Sequence, residues 1–271
     1  MPNSSAYAKV NGLEMYYETH GADRTGQRPL VLLHGGVHTV GLSFGAVLPT
    51  LAEGRRVVAP ELQGHGHTAD TEREMSVANL ASDVVALLDE LGIRQADFIG
   101  FSLGGLTALE IAVRHPERVG RLVLASTQFR QDGYHDEVRT PDYSSPRLPS
   151  QADFQEWAEA YAAVAPHPEH FQDFLGKVTG AAHAPLEWTD DDLRSLTAPT
   201  LLVVGDTDFV RVEHAAEMRE LIPDARLAVV PAATHVALMR RTSVLLPLLT
   251  EFLDRTPAPC RVRTPTDRSG S

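Results

Sequence analysis

One cysteine, Cys260, stands in the whole chain, so no internal disulfide staples the fold. That fits a reducing compartment. No stretch of about 18 apolar residues occurs, which excludes a membrane-spanning helix. The first residues, Met1-Pro2-Asn3-Ser4-Ser5-Ala6, lack the basic segment and apolar run of a secretory signal, so a cytoplasmic location is expected. Basic residues are in deficit: the formal net charge is −12. An acidic chain without a basic stripe argues against nucleic acid and anionic membranes as partners. Neither H-E-x-x-H nor a Cys/His zinc pattern occurs. His65-Gly66-His67 offers two histidines in a loop with no third ligand, so no metal is expected. No internal repeat is present.

What remains is ordinary globular material. The 271 residues are 43% hydrophobic and 22% charged, enough for one large core. Ala8-Lys9-Val10, Asn11-Gly12 and Leu13 to Tyr17 spell a hairpin, because Asn-Gly suits the positive φ of a tight turn. Short apolar strands follow at Pro29 to Leu33, Arg56 to Pro60, Asp97 to Phe101, Arg121 to Ala125, Thr200 to Val204 and Arg226 to Val230. Helical patterns separate them. One is capped by Ser76 and carries Leu80, Val84, Leu87, Leu88 and Leu91 at helical spacing up to Gly92. Others run from Leu103 to His115, Glu213 to Leu221 and Ser243 to Asp254, the last with Pro247 in its first turn.

This alternation predicts an α/β fold, a mostly parallel sheet with helices on both faces. It is interrupted between 127 and 197 by a proline-rich stretch and two helical patterns, near Asp153 to Val164 and His170 to Val178. That segment reads as an inserted helical cap. The core is then 1–126 with 198–255. The tail, 256–271, reads as disordered and contains Cys260.

The chemistry begins at Gly100-Phe101-Ser102-Leu103-Gly104. A strand enters, a helix leaves, and glycines stand two before and two after the serine. Such a turn is too sharp for side chains at those two positions, and it lifts the serine oxygen above the sheet. It also places the serine at a helix N-terminus, where free N–H groups favour developing negative charge. A serine hydroxyl needs a base to become nucleophilic. Two later strands each lead to a candidate. Thr200 to Val204 runs into Gly205-Asp206-Thr207-Asp208, and Arg226 to Val230 is followed by Pro231 to His235. Ser102, Asp208 and His235 all follow carboxyl ends of strands, where open sheets bind ligands.

With His34-Gly35-Gly36 and Gly64-His65-Gly66, these segments resemble the α/β-hydrolase superfamily in order and spacing, from about Leu13 to Asp254. The resemblance implies Ser102 as nucleophile, His235 as base and Asp208 as the acid that orients it, three residues beyond the strand-ending Gly205. Asp206 is then a structural turn residue. Some members carry the acid after the preceding strand, but Ala125-Ser126-Thr127 offers no carboxylate. The oxyanion donors implied are the N–H of Leu103 and that of Gly36, with Val37 as runner-up. His34 is expected to bond nearby backbone. His115, His167, His170, His183 and His214 are expected on exposed surfaces.

Serine at the elbow argues against members that use a carboxylate nucleophile. The loop His34-Gly35-Gly36-Val37-His38 lacks the proline of a Gly-Pro-Gly version, which weakens a C–C bond hydrolase or an iminopeptidase. The expected activity is therefore hydrolysis of a small apolar ester or lactone through an acyl-enzyme, without cofactor. C–C hydrolysis, thioester hydrolysis and perhydrolysis remain alternatives, as does a ligand-binding receptor or another non-hydrolytic member. Candidate pocket residues are Val37, His38, Phe101, Trp157 and Trp188. Phe154, Trp157 and Tyr161 share a helix face, and at least half of the cap aromatics are expected only to pack the cap onto the core. The sequence does not specify an oligomeric state.

Overall fold

A computed structural model describes residues 3–254 of the chain; the tail with Cys260 lies outside them. Eight strands form one sheet, ordered β1-β2-β4-β3-β5-β6-β7-β8. They are β1 Ser4–Val10, β2 Leu13–His20, β3 Leu30–Leu33, β4 Val57–Pro60, β5 Ala96–Phe101, β6 Val119–Ala125, β7 Thr200–Thr207 and β8 Ala225–Thr234. β1 pairs antiparallel with β2, and β2 antiparallel with β4. From β4 to β8 all pairings are parallel.

The central strands are buried on both faces, and their side chains divide by the period of two. Val31, Leu33, Phe98, Leu122 and Leu124 join one cluster with Leu80, Leu87, Leu106 and Leu109. Leu30, Leu32, Ile99, Val123 and Val203 join another with Phe44, Leu245, Leu249 and Phe252. Helices Val77–Glu90 and Leu103–Arg114 thus cover one face and Thr242–Asp254 the other. Ser76 caps the first of these, its hydroxyl accepting from Asn79 N–H.

The register explains where function gathers. Leu33 pairs with Gly100, Phe101 with Ala125 and Ala125 with Val203. β3, β5 and β6 therefore end nearly level, β7 runs on to Thr207, and the residues just beyond these strands converge on one edge. Ser102 N–H donates to Ala125 O at 2.9 Å and Ser126 N–H to Val203 O at 2.8 Å, so both turns are pinned to the next strand.

Two local expectations need correction. β8 does not stop at Val230 but continues through Pro231 to Thr234. Its register against β7 shifts between Gly205 and Thr207, and Ala232 has a φ of 52°. Asp206 holds this irregularity by accepting from the Ala232 and Ala233 N–H groups at 2.9 and 3.2 Å, the turn role expected of it. Pro247 lies inside its helix rather than in the first turn, because the helix starts earlier than its apolar pattern.

Residues 127–197 carry the helices Asp136–Arg139, Gln151–Val164, Phe171–His183 and Asp190–Arg194 between β6 and β7. This helical cap contributes one wall of the cavity described below. No helix among the described residues is long and apolar enough to cross a membrane.

Candidate active site

The elbow after β5 has the strain its sequence foretells. Ser102 sits at φ 53°, ψ −117°, a backbone state that ordinary side chains rarely adopt. A Cβ on Gly100 would lie 2.4 Å from Gly104 O, and one on Gly104 2.0 Å from Leu33 O. Both obstacles are backbone, so neither can move aside cheaply.

Three side chains from three strand ends meet here. Ser102 Oγ lies 2.9 Å from His235 Nε2. His235 Nδ1 lies 2.7 Å from Asp208 Oδ1. Asp208 is fully buried. Burial pushes its pKa up, but His235, the Ser126 hydroxyl and the Gly205 N–H outweigh that and hold it below the usual carboxylate value. A carboxylate that stays ionised keeps the proton of the neutral imidazole on Nδ1 and leaves Nε2 free to accept from Ser102.

Ser126 and Phe209 act on this chain of hydrogen bonds, and the sequence reading passed over both. The Ser126 hydroxyl donates to Asp208 Oδ2, which also accepts from Gly205 N–H at 3.0 Å. Ser126 is buried and has a φ of 51°. Its signal in sequence was its place beyond β6, level with Asp208. The ring of Phe209 stacks on His235 with centroids 3.8 Å apart. Its adjacency to Asp208 was the only clue.

The loop after β3 faces the elbow. Gly35 N–H donates to Ser43 Oγ, Val37 N–H to His65 Nε2, and His38 N–H to Gly35 O. Gly36 N–H has no acceptor among the described residues, which leaves it free for a substrate oxygen. Val37, the runner-up, has its amide occupied. Two neutral histidines anchor this loop. Leu62 N–H donates to His34 Nε2, and His34 Nδ1 donates to Gly35 O. His65 Nδ1 likewise donates to Gln63 O. Burial lowers the pKa of both rings, and that of His65 drops well below the ordinary value.

A cavity of about 190 Å³ opens onto Ser102 and His235. Val37, His38, Phe101 and Trp157 line it, together with Leu103 and Gly36. Trp188 does not line it. Its indole N–H reaches Glu110 Oε2 at 2.6 Å, tying the cap to helix Leu103–Arg114. Phe154 also lines the cavity, whereas Tyr161 and Phe174 stack on each other at 4.9 Å. His214, expected on the surface, is buried and stacked on Phe129 at 4.9 Å. Helix Val212–Leu221 turns His214 toward Phe129 and Gly133, beyond β6, a contact invisible to local pattern. A larger hollow of about 700 Å³ beside Tyr161 and Lys177 is lined by none of the three linked side chains. Among the described residues, His167, Glu169 and His170 have donor atoms close enough to share a metal ion, but they are exposed and none lines the serine's cavity.

Sheet, elbow and residue order define the class. The chain belongs to the α/β-hydrolase-fold family, whose sequence profile matches residues 28–242, and it is a hydrolase of that fold. It is similar to the 2-hydroxymuconate semialdehyde hydrolase of a Pseudomonas species, 45% identical over 102 residues, 35% of each chain. It is also similar to the 2-hydroxy-6-oxo-2,4-heptadienoate hydrolase of Pseudomonas putida, 28% identical over 87% of this chain and 92% of the relative. Among solved structures, the enol-lactonase from Burkholderia xenovorans superposes with a TM-score of 0.72 at 26% identity, covering 92% of this chain and 100% of that one.

Proposed function

We propose that this hydrolase cleaves a small, uncharged carboxylic ester or lactone through an acyl-enzyme on Ser102. One observation carries the reading. The linked Ser102, His235 and Asp208 face a cavity whose wall, among the described residues, includes no lysine or arginine. The names of the two Pseudomonas relatives specify substrates that each carry a carboxylate. Burying a carboxylate without a cationic partner is costly, so the wall favours a neutral substrate. Similarity to the enol-lactonase supports a cyclic ester.

The proposed cycle has two halves. His235 takes the Ser102 proton as Oγ attacks the carbonyl carbon. Asp208 stabilises the imidazolium, and the amides of Gly36 and Leu103 receive the oxyanion. The alkoxide leaves with the proton from His235. Water then enters, His235 takes its proton, and the acid is released with Ser102 restored. The second reading is hydrolysis of a C–C bond in a dienoate, which the relatives' names favour.

The test sets short nitrophenyl esters and small lactones beside a 2-hydroxy-6-oxo dienoate. Wild type should turn over the neutral substrates many times, and Ser102→Ala should lose several orders of magnitude. Preference for the dienoate, or full activity in Ser102→Ala, would overturn the reading.

A further inference from the structure

Two residues that line the cavity each carry a side-chain nitrogen with no protein partner among the described residues. Trp157 is nearly buried, and its indole Nε1 has no acceptor among the described residues. A buried donor left unpaired is costly, and sites that bind ligands hold such donors in wait. The second is His38, 5% exposed, whose ring lies 5.5 Å from that of Trp157. His38 Nδ1 lies 3.0 Å from Ser43 Oγ. Ser43 Oγ already accepts from Gly35 N–H. Giving the Ser43 hydroxyl proton to Nδ1 satisfies both groups and places the ring's own proton on Nε2. Nε2 has no partner among the described residues. Burial, aided by His34, His235 and Arg240, lowers the His38 pKa to about 3, so the ring is neutral at pH 7.

The two donors come from different parts of the fold. His38 belongs to the loop that carries Gly36, and Trp157 to the cap helix Gln151–Val164. Phe101 lies against both His38 and His235. Its ring is 5.8 Å from His38 and 5.1 Å from His235. His235 is the group that protonates the departing oxygen in the reading above, so the alcohol is the portion of the substrate beside His235 and the Phe101 ring.

We infer that His38 Nε2–H and Trp157 Nε1–H form a donor clamp for a second oxygen acceptor in the alcohol portion of the ester or lactone. This rests on the ester reading above. It makes both residues specificity determinants: an ether or carbonyl oxygen there is held, and a methylene in its place leaves two donors unpaired.

Butyl acetate and 2-methoxyethyl acetate differ by one such exchange at nearly equal size. The measurement is the ratio of their kcat/KM values in wild type, His38→Phe, His38→Gln and Trp157→Phe. Taking the ratio across variants cancels the intrinsic reactivity of each ester. It should fall about tenfold in His38→Phe and in Trp157→Phe, the worth of one hydrogen bond. His38→Gln, which keeps an N–H donor, should recover part of it. Turnover of butyl acetate by the variants shows that they fold and that the ester reading holds. An unchanged ratio in both Phe variants then overturns the clamp alone. Failure of wild type to hydrolyse either ester overturns the ester reading and the clamp with it.

Discussion

The imidazole of His235 lies flat on the ring of Phe209, with centroids 3.8 Å apart and planes 4° from parallel. The Phe209 backbone N–H also donates to Asp208 Oδ1 at 2.7 Å. One residue thus holds both the imidazole of His235 and the carboxylate of Asp208. Aromatic stacking contributes about 0.5–1.5 kcal/mol beyond burial. Phe209→Leu keeps the backbone bond and loses the stack, so kcat should drop by up to about tenfold with the protein still folded. Steady-state kinetics with circular dichroism checks this; an unchanged kcat would remove Phe209 from the site's design.

Ser126 controls the other carboxylate oxygen. Ser126→Ala leaves Asp208 Oδ2 with the Gly205 N–H alone. The folded-state pKa of Asp208 is depressed, so its ionisation adds stability above the ordinary carboxylate range, and that stability is lost as pH falls through the folded value. Removing one donor raises the folded value. We expect a loss of about 1–3 kcal/mol at pH 7, with a lower kcat and little change in KM. Urea melts at pH 7 and initial rates decide it.

Four buried histidines, His34, His38, His65 and His214, have pKa values lowered mainly by burial. Each binds its proton more readily in the unfolded chain. Their contribution is therefore intact above about pH 6.5 and is lost as pH falls below it. Each contributes a slope of about 1.4 kcal/mol per pH unit until its folded value is reached. His38 and His214 reach theirs only near 3 and 4. The urea midpoint should fall steeply from pH 6.5 to 4.5, and less steeply in His38→Gln. A flat profile would contradict neutral burial of these rings.

Trp188 and Trp157 separate structure from specificity. Trp188→Phe breaks the bond to Glu110 outside the cavity. It should cost about 1.5–3 kcal/mol and leave kcat/KM for small esters unchanged. A change in substrate preference on replacing Trp188 would mean that it acts on the site through the cap.

The elbow, the strand ends that carry Ser102, Asp208 and His235, and the alternating core were all legible in the chain. Each is a local matter: a period of two or 3.6, or two glycines set where backbones nearly touch. The cap showed as an absence of strand pattern over 127–197. What failed was set by contacts between distant segments. β8 runs on past Val230 because Asp206, on the neighbouring strand, holds its bulge. Trp188 faces Glu110 rather than the cavity, and His214 is buried under Phe129. Tertiary structure also distinguished the amides of Gly36 and Val37, because His65 from another loop occupies the second. The sequence by itself determined the elbow that presents Ser102, since a turn that strained demands particular residues. Only the folded chain decided which neutral groups surround it, since a side chain's partner across the cavity leaves no periodicity to read.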